Sequence, residues 1–169
     1  MKITALLLLI LLSPNLWSQS NRLPEVPKEY AWNTPAEYQA EQENIEKCLK
    51  WLCNNPLGDS IALRSEVNAY VMQWLAGAPF MELVVDTKSI PFVQDHEDLL
   101  FTYIHGKAYY LLKHLNDKDQ DKLHMKGLEV VCSLAQQSDE LSQSKALRPM
   151  LRAYRRGQLK NFVKEQKGG

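Results

Sequence analysis

The sequence has little glycine or proline and no excess of charge of either sign. Its 169 residues include 7 Gly and 8 Pro, and 20 basic residues balance 20 acidic ones. Collagen-like and low-complexity chains need more glycine or proline, and disordered chains need fewer apolar residues, so a chain that is 45% hydrophobic belongs to none of these classes. The balanced charge removes the electrostatic basis for nucleic-acid binding. The length suits one globular domain.

Long hydrophobic runs are absent apart from a short one at the start of the chain. The second residue is basic, residues 3–12 are apolar with one exception, and a polar exit follows at Ser18 to Ser20. This pattern is typical of a secretory signal peptide over residues 1–20, with cleavage after Ser18 or after Ser20. No stretch reaches the roughly 20 apolar residues that a membrane-spanning helix requires. We therefore expect an exported protein, periplasmic or extracellular, whose mature chain has no transmembrane segment.

Cysteine is also scarce, with three residues at positions 48, 53 and 132. An odd count leaves at least one thiol unpaired in the oxidising compartment that an exported chain enters. If Cys48 and Cys53 share a helix, their Cα atoms lie about 8.6 Å apart, beyond the roughly 7 Å that a disulfide tolerates. Cys132 reaches one of them only if its helix packs alongside. The simplest interpretation is three small buried hydrophobic residues.

The apolar periodicity predicts an all-α fold of five to six helices, arranged as antiparallel hairpins in one helical bundle over residues 34–169. The preceding segment, residues 21–33, contains two prolines and is predicted to form an extended leader. Thr34 then begins the first helix with a capping box, because Pro35 follows it and Glu37 stands three residues later.

The second and third helices are predicted from their caps and apolar faces. Asp59 or Ser60 caps the second helix, and Asp95 caps the third. The third helix is apolar on two sides, which places it at the centre of the bundle. Gly106 and Gly127 lower the helix propensity of the third and fourth helices, and close helix packing is the expected reason for them.

Two non-helical segments interrupt the bundle. Residues 81–86 are β-branched and partly alternating, which predicts one short extended segment. Residues 138–144 are predicted to form a polar loop. Basic C-terminal helices follow this loop, one on each side of Gly157.

The first two helices end alike, in Trp-Leu-x-x-x-Pro units at residues 51–56 and 74–79. With the short extended segment that follows the second unit, these endings resemble a group of secreted helical proteins from Gram-negative bacteria that has no known function. The resemblance covers roughly Glu46 to Lys164. It implies a secreted helical domain and carries over no functional residue.

Charge is unevenly distributed along the chain despite the neutral total. Residues 21–140 hold 11 basic and 19 acidic residues, whereas residues 141–169 hold 8 basic residues and 1 acidic residue. A helical wheel places five of these basic residues on one side of the fifth helix, away from its apolar face: Lys145, Arg148, Arg152, Arg155 and Arg156. This face is predicted to dock an anionic partner, which is an acidic protein, lipid headgroups or a polyanionic glycan. The alternative is a solvated face that complements the acidic N-terminal helix through weak surface pairs.

One aromatic residue is a further binding candidate. Trp51 lies off the apolar stripe of its helix and is therefore the best candidate for an exposed aromatic side chain. Tyr70 and Trp74 lie centrally on the stripe of the second helix and are predicted to be core residues.

No catalytic or metal motif accompanies these candidates. The acidic run at residues 117–121 resembles the opening of a calcium loop, but Lys122 and Leu128 stand where that loop needs Gly and Glu. An acidic cap of the fourth helix explains the run better. The four histidines lack zinc-ligand spacing, and the chain has no Gly-rich phosphate loop or nucleophile elbow. The sequence assigns no catalytic residue, metal site or cofactor.

The sequence therefore predicts a non-enzymatic binding module that docks an anionic partner through a basic helix face. Two alternatives from other classes stay open. One is a hydrolase or thiol-dependent enzyme whose site joins distant residues, for example Cys53 or Cys132 with His105 or His124. The other is a structural protein that self-associates through its extended segment. An enzyme requires a pocket with convergent polar groups, whereas a binding module requires an exposed patch.

Overall fold

A computed structural model describes residues 23–167, so the predicted signal peptide lies outside the described residues. This range contains α-helices and one short 3-10 turn at Thr87–Ser89, and it contains no β-strand. The all-α prediction is confirmed, and the seven helices of this range slightly exceed the five to six predicted. The seven helices are α1 (Pro35–Asn54), α2 (Ile61–Gly77), α3 (Leu99–Lys113), α4 (Gln120–Ala135), α5 (Asp139–Gln143), α6 (Arg148–Arg155) and α7 (Leu159–Lys167).

The capping box predicted for α1 is present. The Thr34 Oγ1 atom accepts a hydrogen bond from the backbone N–H of Glu37 at 3.4 Å. In return, the Glu37 carboxylate accepts from the backbone N–H of Thr34 at 3.1 Å. Two of the N–H groups that helix formation leaves unpaired are thereby satisfied. The apolar stripe of α1 is buried as predicted, through Ile45, Cys48, Leu49, Leu52 and Cys53.

Two predicted boundaries are wrong. Helix α3 begins at Leu99, with Asp98 as its N-cap, and not immediately after Asp95. Residues 91–95 form turns in which the backbone N–H groups of Asp95 and His96 donate to the carbonyl of Phe92, at 3.1 and 2.8 Å. Because the Phe92 side chain is fully buried, it holds these turns in the core before the helix begins.

The predicted polar loop over residues 138–144 instead contains the short helix α5. The Ser138 hydroxyl caps it by accepting from the backbone N–H of Leu141 at 3.3 Å, and Asp139 and Glu140 lie in its first turn. Acidic residues at this end complement the positive end of the helix dipole. Leu141 is buried and attaches the helix to the core.

Helix α3 lies at the centre, as its two apolar sides predict. Its N-terminal half contributes Leu99 and Tyr103 to a core shared with α4, α5, α6 and α7. Its C-terminal half contributes Ala108 and Leu112 to a second core shared with α1 and α2. One helix thus joins both halves of the bundle.

Gly106 of α3 and Gly127 of α4 lie where these two helices cross, which confirms the reason expected for them. A Cβ atom on Gly106 would lie 3.0 Å from the Cα of Gly127 and 2.8 Å from the carbonyl oxygen of Lys126. A Cβ atom on Gly127 would lie 2.5 Å from the ring of Tyr103. Side chains larger than hydrogen would force the helices apart.

The two non-helical segments pack on the helices. In the leader, Tyr30 packs edge-to-face on Tyr70 of α2 and Trp32 packs on it at a tilt, with ring centroids 4.8 and 5.6 Å away. The extended segment at residues 81–86 has no β-strand partner in the range that the structure describes. Instead, the carbonyl of Val84 accepts a hydrogen bond from the buried ammonium group of Lys107 on α3.

Candidate functional site

Helix α6 presents its basic face outward because its other face is anchored in the core. Leu147, Met150 and Leu151 are buried against α4 and its neighbours. Helix α6 ends at Arg155, and Gly157 follows its C-cap with a φ of +67°, the left-handed conformation that glycine adopts without strain. The N–H groups of Gly157 and the following residue then close the last turn on the carbonyls of residues 154 and 153, at 2.9 and 2.8 Å.

The four arginines of α6 and its C-cap converge on one surface groove. This groove encloses about 640 Å³, and none of the described residues that line it is acidic. We call it the arginine groove, and its lining residues are Ser142, Gln143, Arg148, Arg152, Arg155 and Arg156. Each of the four arginines is exposed.

Two of the arginines are partly ordered by contacts to the backbone. The Nε atom of Arg155 donates to the carbonyl of Leu151 at 3.3 Å, and Arg148 donates to the carbonyl of Gln143 at 3.5 Å. Neutral carbonyls orient a guanidinium group without cancelling its charge. All four ion pairs in the described part of the chain use lysine as the cation, on α1, α3 and α4. The arginine groove therefore keeps its positive charge.

The other two predicted binding residues lie outside the groove. Lys145 is exposed in the turn between α5 and α6 but is not among the residues that line the groove. Trp51 belongs to α1, is half-buried beside the α1–α2 core, and carries the guanidinium group of Arg64 over its ring at 5.3 Å. The structure does not bring Trp51 together with the α6 arginines.

The sequence did not predict two residues of the groove. Ser142 and Gln143 belong to α5, which was predicted to be a loop. The signal that identifies α5 is local, because Ser138 stands before two acidic residues and the apolar Leu141.

The cysteines have the features of structural residues. Cys48, Cys53 and Cys132 are all free and buried. Burial raises the pKa of each thiol to about 12. Because the thiolate is the reactive form, such thiols are poor nucleophiles near neutral pH.

The acidic run before α4 serves as a helix cap and an ion pair. Asp119 caps α4 by accepting from the backbone N–H groups of Asp121 and Lys122, at 3.0 and 3.1 Å. The Asp117 carboxylate accepts from Lys122 at 2.7 Å and from Tyr110 at 2.8 Å, and these bonds lower its pKa to about 2. Over residues 23–167, no group of three or more metal-ligating side chains is found.

None of the helices described is both long and apolar enough to cross a membrane. Comparison with protein-family models, with curated proteins and with solved structures gives no match.

Proposed function

We propose that this protein is an exported, non-enzymatic binding module that docks an acidic protein segment through the arginine groove. The observation that carries this proposal is the convergence of four exposed arginines, without an acidic neighbour in the lining, on one groove of about 640 Å³. Export is proposed from the signal-peptide pattern of residues 1–20 and from the resemblance to secreted helical proteins.

The chemistry of the groove favours carboxylates as the groups that it binds. A guanidinium group presents a planar fork of N–H donors that matches a carboxylate in two parallel hydrogen bonds. Ser142 and Gln143 add neutral hydroxyl and amide groups, which suit the backbone of a peptide. An acidic segment offers carboxylates and backbone amides together.

A membrane surface is a less suitable partner for the same face. Helices that lie on membranes bury an apolar face among the lipids. The apolar residues of α6, Met150 and Leu151, are already packed in the protein core. The large apolar side chains that are exposed in the described range belong to other parts of the chain: Leu23, Ile61, Val84, Phe101 and Leu115.

The proposal is tested by fluorescence anisotropy with a labelled ten-residue glutamate peptide. The test variant reverses three groove charges, as Arg148→Glu, Arg152→Glu and Arg155→Glu. The matched control reverses three exposed lysines of the same basic region outside the groove, as Lys145→Glu, Lys160→Glu and Lys164→Glu. Both variants change the net charge equally, so only the position of the charges differs.

We expect the groove variant to bind the peptide at least about tenfold more weakly, and the lysine variant to bind within about threefold of the native protein. Circular dichroism and thermal melting establish that both variants fold. Equal losses in the two variants would show non-specific attraction and contradict the proposal. Stronger binding to a sulfated glycan or to phosphatidylglycerol vesicles than to the peptide would show that the partner is not an acidic protein segment. Self-association of the protein without the peptide would show instead that the partner is a second copy of the chain.

A further inference from the structure

A pocket with an apolar mouth lies between the N-terminal parts of α2 and α3, and it is independent of the arginine groove. It encloses about 260 Å³. Ile61 and Phe101 line its mouth, and they are 70% and 46% exposed. Leu57 and Leu99 complete the apolar part of the wall.

The inner wall of this pocket is polar and lacks partners. His105 is only 3% exposed, and neither of its ring nitrogens has a hydrogen-bond partner among the residues that the structure describes. The same holds for the side-chain oxygen of Asn68 and for the Nε atom of Arg64. Buried polar groups of native proteins are ordinarily paired, and unpaired ones together indicate that something else completes them.

The unpaired atoms include both donors and acceptors. Burial and the nearby Arg64 lower the pKa of His105 to about 3, so its ring is neutral and offers one N–H donor and one acceptor. Arg64 adds a donor through Nε, because its other nitrogens already donate to carbonyls at the end of α1. Asn68 adds an acceptor.

A hydroxyl group matches this mixture, because it donates one hydrogen bond and accepts others. A carboxylate only accepts, and it would also face the acidic side chain of Asp98 in the pocket wall. An ammonium group only donates, and it would face the guanidinium group of Arg64.

We propose that this pocket binds a small neutral alcohol or phenol, with its hydroxyl group at His105, Asn68 and Arg64 and its apolar body between Ile61 and Phe101. The volume is below the range of about 300–1,000 Å³ typical of drug-sized ligands, so the ligand is small. Apolar lining with a few polar groups is the usual composition of such a site.

The test is an NMR titration of the ¹⁵N-labelled full chain with phenol, with toluene and benzoate as comparison ligands. We expect saturable binding of phenol that shifts the ring-nitrogen signals of His105. Toluene has the same body without the hydroxyl group, and benzoate replaces that group with an anion. Both are expected to bind at least about tenfold more weakly, because the loss of one well-formed hydrogen bond changes affinity by about that factor.

Two variants locate the site. His105→Phe keeps a ring but removes both nitrogens, and we expect it to weaken phenol binding at least about tenfold. Asn68→Ala is expected to weaken it several-fold and keeps the test decisive if the first variant fails to fold. Asn161→Ala, an exposed asparagine on α7, is the matched control and is expected to bind normally.

Three results would overturn this proposal. They are the absence of saturable phenol binding, toluene or benzoate binding as tightly as phenol, and phenol binding that a folded pocket variant leaves unchanged.

Discussion

At the scale of single residues, the arginines of α6 and the histidine of α3 show how position changes the role of a charged or titratable group. Arg155 keeps an exposed charge, because its only described partner is the carbonyl of Leu151. His105 is forced into its neutral form, because it is buried and lies near Arg64. The first arrangement favours an anionic partner, and the second makes the folded state sensitive to acid.

We predict that His105 destabilises the protein as the pH falls below 6.5. The unfolded chain takes up a proton on this histidine near pH 6.5, whereas the folded chain does so only near pH 3. Because the unfolded state then binds more protons, the free energy of unfolding decreases between these values, by about 2 kcal/mol between pH 7 and pH 5.

Urea unfolding of the native protein and of His105→Phe at pH 7 and pH 5 measures this effect. We expect the variant to be folded at pH 7, because it removes two unsatisfied buried nitrogens. Its loss of stability between the two pH values should be smaller than that of the native protein by about 2 kcal/mol. An identical loss in both proteins would show that His105 is not the responsible group.

The arginines of the groove and the polar residues of the pocket differ in how well the sequence predicts that they lie together. The arginines repeat at helical spacing, so a helical wheel places Arg148, Arg152 and Arg155 on one face without any tertiary information. The pocket joins Asn68 to His105, which lie on different helices and share no motif. Their juxtaposition depends on how α2 and α3 pack, and a single sequence carries no signal for that.

At the scale of secondary-structure elements, the sequence predicts the capped start of α1 and the glycine that follows α6, but it misplaces the start of α3 and misses α5. The capping box at Thr34 and the terminating Gly157 are both observed where they were predicted. The start of α3 is displaced to Leu99, because burial of Phe92 holds the preceding residues in turns. Helix α5 was missed because it is only five residues long and carries one buried apolar residue, Leu141.

The crossing of α3 and α4 gives a prediction at this scale. Gly127→Ala places a methyl group 2.5 Å from the Tyr103 ring and 2.8 Å from its backbone carbonyl, and backbone atoms cannot turn away. We expect this overpacking to lower the free energy of unfolding by about 1–3 kcal/mol, despite the better helix propensity of alanine.

Gly58→Ala is the matched control for Gly127→Ala, because a Cβ atom on Gly58 meets no atom within 4 Å. Its stability should stay within about 0.5 kcal/mol of the native value. Thermal and urea unfolding compare the two variants. A Gly127→Ala protein as stable as the control would contradict the close approach of the two helices.

The packing of the leader on α2 gives a second prediction at this scale. Tyr30 packs edge-to-face on Tyr70, so Tyr30→Ala should lower the free energy of unfolding by about 1 kcal/mol or more through lost aromatic contact and burial. Lys28→Ala, an exposed neighbour in the same leader, should have little effect. Urea unfolding distinguishes them, and equal stability of both variants would argue against docking of the leader on α2.

At the scale of the whole molecule, the neutral net charge conceals a separation of charge that the fold preserves. The C-terminal 29 residues hold 8 basic residues and 1 acidic residue, and four of the basic residues line the arginine groove. The ion pairs in the described range use Lys47, Lys113, Lys122 and Lys126, and none of them involves these arginines. The basic end of the molecule is therefore available to attract an acidic partner.

This separation predicts that binding depends on salt. Exposed charges are screened over about 10 Å at 0.1 M ionic strength and over about 3 Å at 1 M. We expect the affinity for the glutamate peptide to fall by about tenfold or more between 0.05 and 0.5 M NaCl. Anisotropy titrations at several salt concentrations check this, and an affinity that does not change with salt would contradict an electrostatic groove.

The most direct test of the account is an NMR spectrum of the arginine Nε–H groups, recorded as the glutamate peptide is added. If the arginine groove docks acidic segments, the signals of Arg148, Arg152, Arg155 and Arg156 shift together and saturate, while that of Arg64, which lies over Trp51, stays in place. If the peptide leaves the four groove signals unmoved, or moves only signals elsewhere on the protein, the arginine groove is not the binding site.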